Sequence, residues 1–469
     1  MNLPTPFIDR MHRLLGDDYD AFEKALLDDK WPVSIRLNRS KGSLLSSASD
    51  PVPWSGGVGF YLSERPAFTF DPLFHAGAYY VQEAASMFLG EVIARYIHCP
   101  VRYLDLCAAP GGKSTHALSA LPQGSLVVCN EVIRSRAAVL AENIVKWGSP
   151  FSVVTSNTAA EWGVFSNYFD VIATDVPCSG EGMFRKDETA VAEWSPANVD
   201  RCAERQEAIL ADVWSALRPG GLLIYSTCTY NIEENEAIID FLVRRFGAQP
   251  LTVDIPAEWG IKNALVGSAP VYRFLPHSAR GEGLFMAVLR KPDTSVSAVF
   301  SKSNGREKKN RLSKKAAVPS EMRSWINSPE MYEFESDEMS VRAYPKDYAA
   351  DIRLINKSFN VLHAGIPLAV LRGRDYVPSH ALALSTAFNL GAFAQCEIDL
   401  DTALSYLRRE SVVLPSDIPT GYVVLTYRDF PLGWVKNLGA RANNLYPQEW
   451  RIRTSYTPEV ISDAGVVKG

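Results

Sequence analysis

The sequence predicts a doubly wound α/β sheet at the heart of a multidomain chain. Three observations point to it: short apolar runs alternate with helix-like stretches from Arg102 onward, the first run opens directly into a glycine-rich turn, and 469 residues exceed what one core usually serves. The runs are Arg102 to Leu106, Ser125 to Asn130, Phe151 to Thr155, Phe169 to Asp175 and Leu222 to Thr227. They are compact, β-rich and mostly apolar, as strands buried on both faces are. Between the second and third, Ile133 to Trp147 carries apolar residues at helical spacing. Ahead of the fifth, Ser195-Pro196 reads as an N-cap with proline at the first helical position, opening a helix expected to stop near Arg218-Pro219-Gly220.

Hydrophobic residues make up 47% of the chain and charged residues 22%, which argues against a disordered or collagenous protein. No uncharged apolar run reaches the roughly 18 residues of a membrane helix, and Met1 to Gly16 lacks the pattern of a signal peptide, so a soluble cytoplasmic protein is expected. The 7 cysteines, scattered from Cys99 to Cys396 with no CxxC pair, fit neither a disulfide framework nor a zinc site, and no metal is expected. A net charge of -5 excludes a uniformly basic nucleic-acid coat, so any polyanion must be held by a local basic surface. Such a run lies between Lys302 and Lys315, where Lys302, Arg306, Lys308, Lys309, Arg311, Lys314 and Lys315 face one acid, Glu307. It reads as a flexible linker and a domain boundary.

The first strand runs into Asp105-Leu106-Cys107-Ala108-Ala109-Pro110-Gly111-Gly112-Lys113-Ser114. In an open α/β sheet the crevice beyond the strand ends is the ligand site, and paired glycines let backbone approach a ligand there. The string nearly matches the phosphate loop GxxxxGK[ST], and Phe169 to Asp175 resembles the strand that ends in a magnesium-binding Asp. Against that NTPase reading, Cys107 replaces the first glycine and Pro110 removes an N–H from a loop whose donors must cradle phosphate. The second strand ends at Asn130-Glu131, where an acid typically accepts the hydroxyls of an adenosine ribose. Equally, Glu131 opens the following helix, whose dipole a carboxylate suits.

Asp175-Val176-Pro177-Cys178-Ser179-Gly180 and Ser226-Thr227-Cys228-Thr229-Tyr230 end the fourth and fifth strands. Neighbouring strand ends would bring two thiols and a carboxylate into one crevice. The other five cysteines are read as small buried hydrophobes.

These strings resemble the RsmF-type RNA (cytosine-5)-methyltransferases, related to the RsmB or Sun group. Further matches are Asn231, Glu234-Asn235, Arg273-Phe274-Leu275-Pro276-His277, Gly281-Glu282-Gly283, Ser34-Ile35-Arg36-Leu37-Asn38, Tyr79 to Met87, and Gly421 to Gly439 in a PUA-like module. The resemblance covers nearly the whole chain. It implies a class I methyltransferase core at 99–292, a small N-terminal α/β domain at 1–98, a basic linker at 293–318 and a C-terminal region at 319–469 ending in the PUA-like β-rich domain.

The resemblance also implies S-adenosylmethionine as cofactor, bound along Cys107, Ala108, Ala109, Pro110, Gly111, Gly112 and Lys113, with Glu131 on the ribose and Asp175 near the methyl donor. The family's adenine-contacting Asp is replaced. Thr158 stands at its position beside Asn157; either side chain can bond the adenine amine, and a register shift competes.

Carbon 5 of cytosine is a poor nucleophile until a thiolate adds at carbon 6. The resemblance assigns that attack to Cys228 and product release to Cys178; sequence alone leaves the order open. Asp175 suits activation of the ring at N3. Lys113 lowers a thiol pKa or orients the base, unless it is merely solvated at a helix start. Glu233, Glu234 and Glu236 favour a first helical turn and receive no catalytic role.

The implied substrate is an unpaired or flipped cytosine in small-subunit (16S) ribosomal RNA. Transfer RNA is the alternative, followed by an ATP-dependent RNA-remodelling protein and a catalytically dead scaffold. RNA-holding candidates are the basic run and the C-terminal domain, where Tyr422 to Tyr427 and Leu432 to Val435 read as strands joined by Arg428-Asp429-Phe430-Pro431. There Lys436, Arg441 and Arg451, with Tyr446 and Trp450, offer cations and stacking surfaces. Oligomeric state is left open.

Overall fold

The computed structural model describes residues 3–28, 30–46, 50–293, 318–456 and 464–468. The basic run Lys302 to Lys315 lies outside the described residues.

A 9-stranded sheet forms the centre. Its strands are β1 (Arg102–Asp105), β2 (Leu126–Asn130), β3 (Ser152–Thr155), β4 (Phe169–Asp175), β5 (Leu217–Thr227), β6 (Gln249–Pro250), β7 (Tyr272–Phe274), β8 (Leu284–Arg290) and β9 (Val361–Ala364). Their order is β6-β8-β5-β4-β1-β2-β3-β9, with β7 also on β8. The five expected strands pair in parallel, and the later strands add antiparallel edges. Order reverses at β1, so the crevice beyond β1 and β4 is a topological switch point. Helices α1 (Gly112–Ala120), α2 (Arg134–Trp147), α3 (Pro196–Val213) and α4 (Glu236–Phe246) accompany the sheet.

Ser195 caps α3 as expected, its Oγ accepting the Asn198 N–H at 3.2 Å, with Pro196 opening the helix. The expected end near Gly220 is corrected: α3 ends at Val213, and Arg218 to Gly221 lies within β5. The Lys291 ammonium takes the carbonyls of Trp214 at 2.9 Å and Leu217 at 2.6 Å. Backbone bonds between Gly220, Gly221 and Lys291 then zip the Pro-Gly-Gly segment onto the strand as an irregularity in register.

The flanking parts do not sit apart from this core. The N-terminal sheet pairs Val33–Leu37 with Gly59–Leu62 and Tyr79–Val81. Ahead of it, Phe7 and Phe22 pack with Phe184, Trp194 and Tyr230 over the loops that follow β4 and β5. From the C-terminal region, β9 pairs antiparallel with β3, and Ile352 and Ile355 enter the same apolar cluster as Leu104 and Val128. Val466–Lys468 pairs with Leu44–Ser46.

In the PUA-like part, Gly421–Tyr427 and Phe430–Asn437 form a hairpin. Its turn is only Arg428-Asp429, at φ of 48° and 65°, so the second strand starts at Phe430 rather than Leu432. Among the described residues no helix is long and apolar enough to cross a membrane, and no group of three or more His, Cys, Asp or Glu side chains is placed to hold a metal.

Candidate active site

The loop after β1 turns at Gly111, whose φ of 114° is one that side chains with a Cβ rarely adopt. A Cβ there would also lie 3.2 Å from the Leu140 side chain. From α2, Arg136 and Asn143 donate to the carbonyls of Ala109 and Pro110 at 3.0 and 2.8 Å. From below, Ser114 Oγ donates to the buried Asp105 carboxylate at 2.6 Å. Burial pushes the Asp105 pKa up to about 7. Arg36, fully buried, donates to Gln82 Oε1 at 2.6 Å and Thr115 Oγ1 at 2.7 Å, locking the N-terminal domain onto α1.

A cavity of about 330 Å³ opens between this loop and the ends of β4 and β5. Asp105, Cys107, Ala108, Ala109, Pro110, Gly112, Lys113, Asp175 and Cys228 line it, with Tyr80, Gln82 and Glu282 opposite. Two other cavities, of about 490 and 640 Å³, have no cysteine among their described lining residues. Lys113 is not a solvated lysine: its Nζ lies 2.9 Å from Asp175 Oδ2, and its side chain is 14% exposed. Burial, the largest single influence, pulls its pKa down, but the charge and hydrogen bond of Asp175 together with Cys228 and Asp105 outweigh it, and the net direction is upward. Ser226 Oγ donates to the other Asp175 oxygen at 2.8 Å. The Sγ atoms of Cys178 and Cys228 are 3.3 Å apart. The bond to Cys228, then burial, raises the Cys178 pKa well above that of an ordinary thiol.

Glu131 follows β2, nearly buried. Its Oε1 accepts the Ile133 N–H at 2.9 Å and its Oε2 lies 3.6 Å from Arg136, so the carboxylate is tied to the turn that leads into α2 rather than to its first turn. The exposed Thr158 caps a short 3₁₀ helix, its hydroxyl and N–H both donating to Glu161, while Asn157 Nδ2 donates to Glu161 at 2.8 Å. The Thr-x-x-Glu signature of this capping box stands in the sequence.

Some expectations need correction. Cys99 is exposed in the turn before β1, and Cys107 is half-buried against the cavity; only Cys129, Cys202 and Cys396 are buried hydrophobes. Tyr446 is 1% exposed and its hydroxyl bonds His75 at 3.2 Å, so it offers no stacking surface. Trp450 is half-buried against His380, and Lys436 lies 3.6 Å from Asp375. Arg441 and Arg451 remain exposed.

Comparison with known proteins agrees with this geometry. The family described as 16S rRNA methyltransferase RsmB/F matches residues 100–290, the N-terminal domain of 16S rRNA methyltransferase RsmF matches 3–84, and the methyltransferase RsmF PUA domain matches 393–452. Ribosomal RNA small subunit methyltransferase F of Cronobacter sakazakii is 30% identical over 95% of this chain and 96% of its own. The chain belongs to the RsmF family. The Erwinia tasmaniensis protein of the same name is 29% identical over 95% of this chain and 96% of its own. Among solved structures, a methyltransferase homologue from Pyrococcus horikoshii is 24% identical, with a TM-score of 0.52, covering 61% of this chain and 95% of that one. NSun6 from the same organism, solved with SFG, is 20% identical, with a TM-score of 0.52 over 61% and 98%. RsmF membership bears out the expected class I methyltransferase core, PUA-like domain and enzyme class, with S-adenosylmethionine as cofactor, and it settles the competition with the NTPase reading.

Glu181 and Gln206 went unnoticed in the sequence, whereas Glu234, Arg36 and Gln82 stood in matched strings without the contacts that the structure gives them. Glu181, Gln206 and Glu234 are buried around the thiol loops, and Arg36 and Gln82 tie the N-terminal domain to α1.

Proposed function

We propose that this RsmF-family chain methylates carbon 5 of a cytosine in small-subunit ribosomal RNA, with Cys228 as nucleophile and Cys178 serving release. The observation that carries the reading is Cys228 lining one cavity with the Lys113–Asp175 ion pair, and the Cys178 sulfur, which does not itself line that cavity, 3.3 Å from the Cys228 sulfur. The loop from Cys107 to Lys113 fits the cofactor: it borders the cavity with small side chains, and a Cβ on Gly112 would lie 3.3 Å from Tyr80. In this reading Cys107, Ala108, Ala109, Pro110, Gly111, Gly112, Lys113 and Asp175 hold S-adenosylmethionine, with Glu131 on the ribose side and Thr158, through its side-chain oxygen, on the adenine side. The bound cofactor supplies an electrophilic methyl group.

The chain supplies the rest. Cys228 thiolate adds to carbon 6, and the electrons moved into the ring make carbon 5 nucleophilic. Asp175, its carboxylate aimed by Lys113 and Ser226, accepts the N–H of a cytosine that has taken a proton from solvent at N3, and so favours the addition. Solvent water takes the carbon-5 proton, and the electron pair of that carbon–hydrogen bond re-forms the ring double bond as the carbon–sulfur bond breaks and its electrons return to the Cys228 sulfur. Cys178 retains its proton, as its raised pKa supports, and donates it as a hydrogen bond to the departing Cys228 thiolate. Division at 1–98, 99–292, 293–318 and 319–469 and action in the cytoplasm belong to the same proposal, with β9 as the part of the C-terminal region that completes the catalytic sheet.

A denaturing gel with labelled ribosomal RNA tests it. Cys228→Ala abolishes both methylation and adduct, whereas Cys178→Ala methylates and stays joined to RNA. An adduct that survives Cys228→Ala and vanishes in Cys178→Ala exchanges the roles. Bisulfite sequencing of a deletion strain tests the substrate: unchanged ribosomal RNA with a lost transfer-RNA signal moves it to transfer RNA.

A further inference from the structure

The two loops that carry the thiols exchange carboxylates. Glu181, three residues beyond Cys178, is fully buried, and its Oε2 accepts the N–H groups of Tyr230 at 2.6 Å and Asn231 at 2.9 Å, just beyond Cys228. Its Oε1 accepts from Trp194 Nε1 at 3.0 Å and Asn231 Nδ2 at 3.0 Å. Glu234, six residues beyond Cys228, is also fully buried, and its Oε2 accepts the Ser179 N–H at 3.0 Å, just beyond Cys178. Gln206 Nε2 donates to the same oxygen at 2.8 Å and to the Pro177 carbonyl at 3.0 Å. Asn231 Nδ2 reaches Glu234 Oε1 at 2.8 Å, so one amide touches both carboxylates. Gly182 N–H donates to the Cys228 carbonyl at 2.8 Å, and a Cβ on Gly182 would lie 2.9 Å from that oxygen.

Each loop thus holds the backbone that carries the other loop's sulfur. Two buried carboxylates would be expensive anywhere unless every oxygen were met by donors, and here every oxygen is. Neither glutamate lines the cavity, so neither meets a substrate there. We propose that Glu181 and Glu234 are positioning residues, a reciprocal clasp that sets the Cys178–Cys228 separation on which turnover depends. The inference rests on the dithiol reading above and adds residues to which that reading gives no role.

The test separates geometry from catalysis. Diamide takes two electrons and two protons from a pair of thiols as the S–S bond forms, so the rate of Cys178–Cys228 cross-linking in the full-length protein, followed by peptide mass mapping, reports proximity without RNA. Glu234→Gln and Glu181→Gln are expected to slow cross-linking and to lower kcat roughly 10- to 100-fold, with KM for RNA and calorimetric cofactor affinity unchanged. Methylated RNA should also accumulate as covalent adduct, as in Cys178→Ala. Should the Gln variants fail to fold, Glu234→Asp and Glu181→Asp, which keep the charge on a shorter stem, carry the same measurements. Unchanged cross-linking overturns the clasp whatever the activity. Slower cross-linking with full methylation overturns the dithiol reading instead, and with it the link from clasp to turnover.

Discussion

Beyond β4 and β5, Glu181 and Glu234 are fully buried, and every carboxylate oxygen accepts at least one N–H. At the joint between the N-terminal domain, α2 and the C-terminal region, charge and polarity are also buried, and although Lys146 is paired with Glu142 at 2.6 Å, His75, His380 and Lys41 have no acid of their own among the described residues. Both ring nitrogens of His380 are buried without a hydrogen-bond partner among the described residues. Among the described residues Lys41 Nζ has only carbonyls as partners, those of Ala76 and Lys146, and burial lowers its pKa to about 7. His75 Nε2 donates to the Thr69 carbonyl at 2.9 Å, which leaves Nδ1 to accept the Tyr446 hydroxyl at 3.2 Å, and burial followed by the Lys146 charge lowers its pKa to about 3. Matched burial fixes positions to fractions of an ångström; unmatched burial is a cost carried by the apolar packing around it.

The largest effect should come from breaking the matched side. Arg273 and Glu236 are buried together, the guanidinium donating to both carboxylate oxygens and, at 2.7 Å, to the Tyr230 carbonyl just past the thiol turn. Arg273→Met removes the cation and leaves the carboxylate and the carbonyl buried. A loss of roughly 3–5 kcal/mol is expected from the urea midpoint. A loss below about 1 kcal/mol, the range of exposed pairs, would show that this side of the comparison is not tightly matched.

Acid should reveal the unmatched side. The folded pKa values of His75 and His380, both about 3, lie below the ordinary 6.5, through burial first and the Lys146 charge second. Above pH 6.5 neither state holds the proton and the full stability is present. As pH falls toward 3 the unfolded chain takes up protons first, so stability drops by at most about 1.4 kcal/mol per pH unit for each imidazole. His363, lowered by burial to about 4, adds in the same direction. Calorimetric midpoints measured from pH 7.5 to 5 should therefore fall steadily below 6.5. A flat profile would mean that these imidazoles are hydrated.

This contrast explains what could be read from the sequence. Cys178, Cys228, Asp175 and Lys113 sit in contiguous strings at strand ends, where chain order and the doubly wound topology suffice to bring them together. Glu181 and Glu234 were hidden because their partners lie 49 and 55 residues away and because acids beside a helix resemble ordinary dipole partners. The helix in fact starts at Glu236, so Glu234 belongs to the turn before it. Val361–Ala364 is too short and too mixed to announce a sheet edge, and only the exposed edge of β3 makes it a strand. Tyr446 looked like a stacking surface because aromatic residues near cations read alike on either side of a core boundary.

The smallest effect is also the one with the opposite sign. His380 packs edge-on against Tyr446 and Trp450, at 5.2 Å from each ring, so its contacts are apolar while both nitrogens go unanswered. Leucine is close to histidine in volume and brings no polar atom. His380→Leu should therefore gain roughly 1 kcal/mol in the urea midpoint at pH 7.5, the lower end of the cost of an unsatisfied buried polar group. It should also remove one imidazole's share of the acid slope. The parallel change at the clasp, Glu234→Leu, leaves the Ser179 N–H, Gln206 and Asn231 without their acceptor and should lose stability. If His380→Leu destabilises and the acid slope stays as it was, the ring nitrogens have partners in solution, and the joint is as fully matched as the thiol loops.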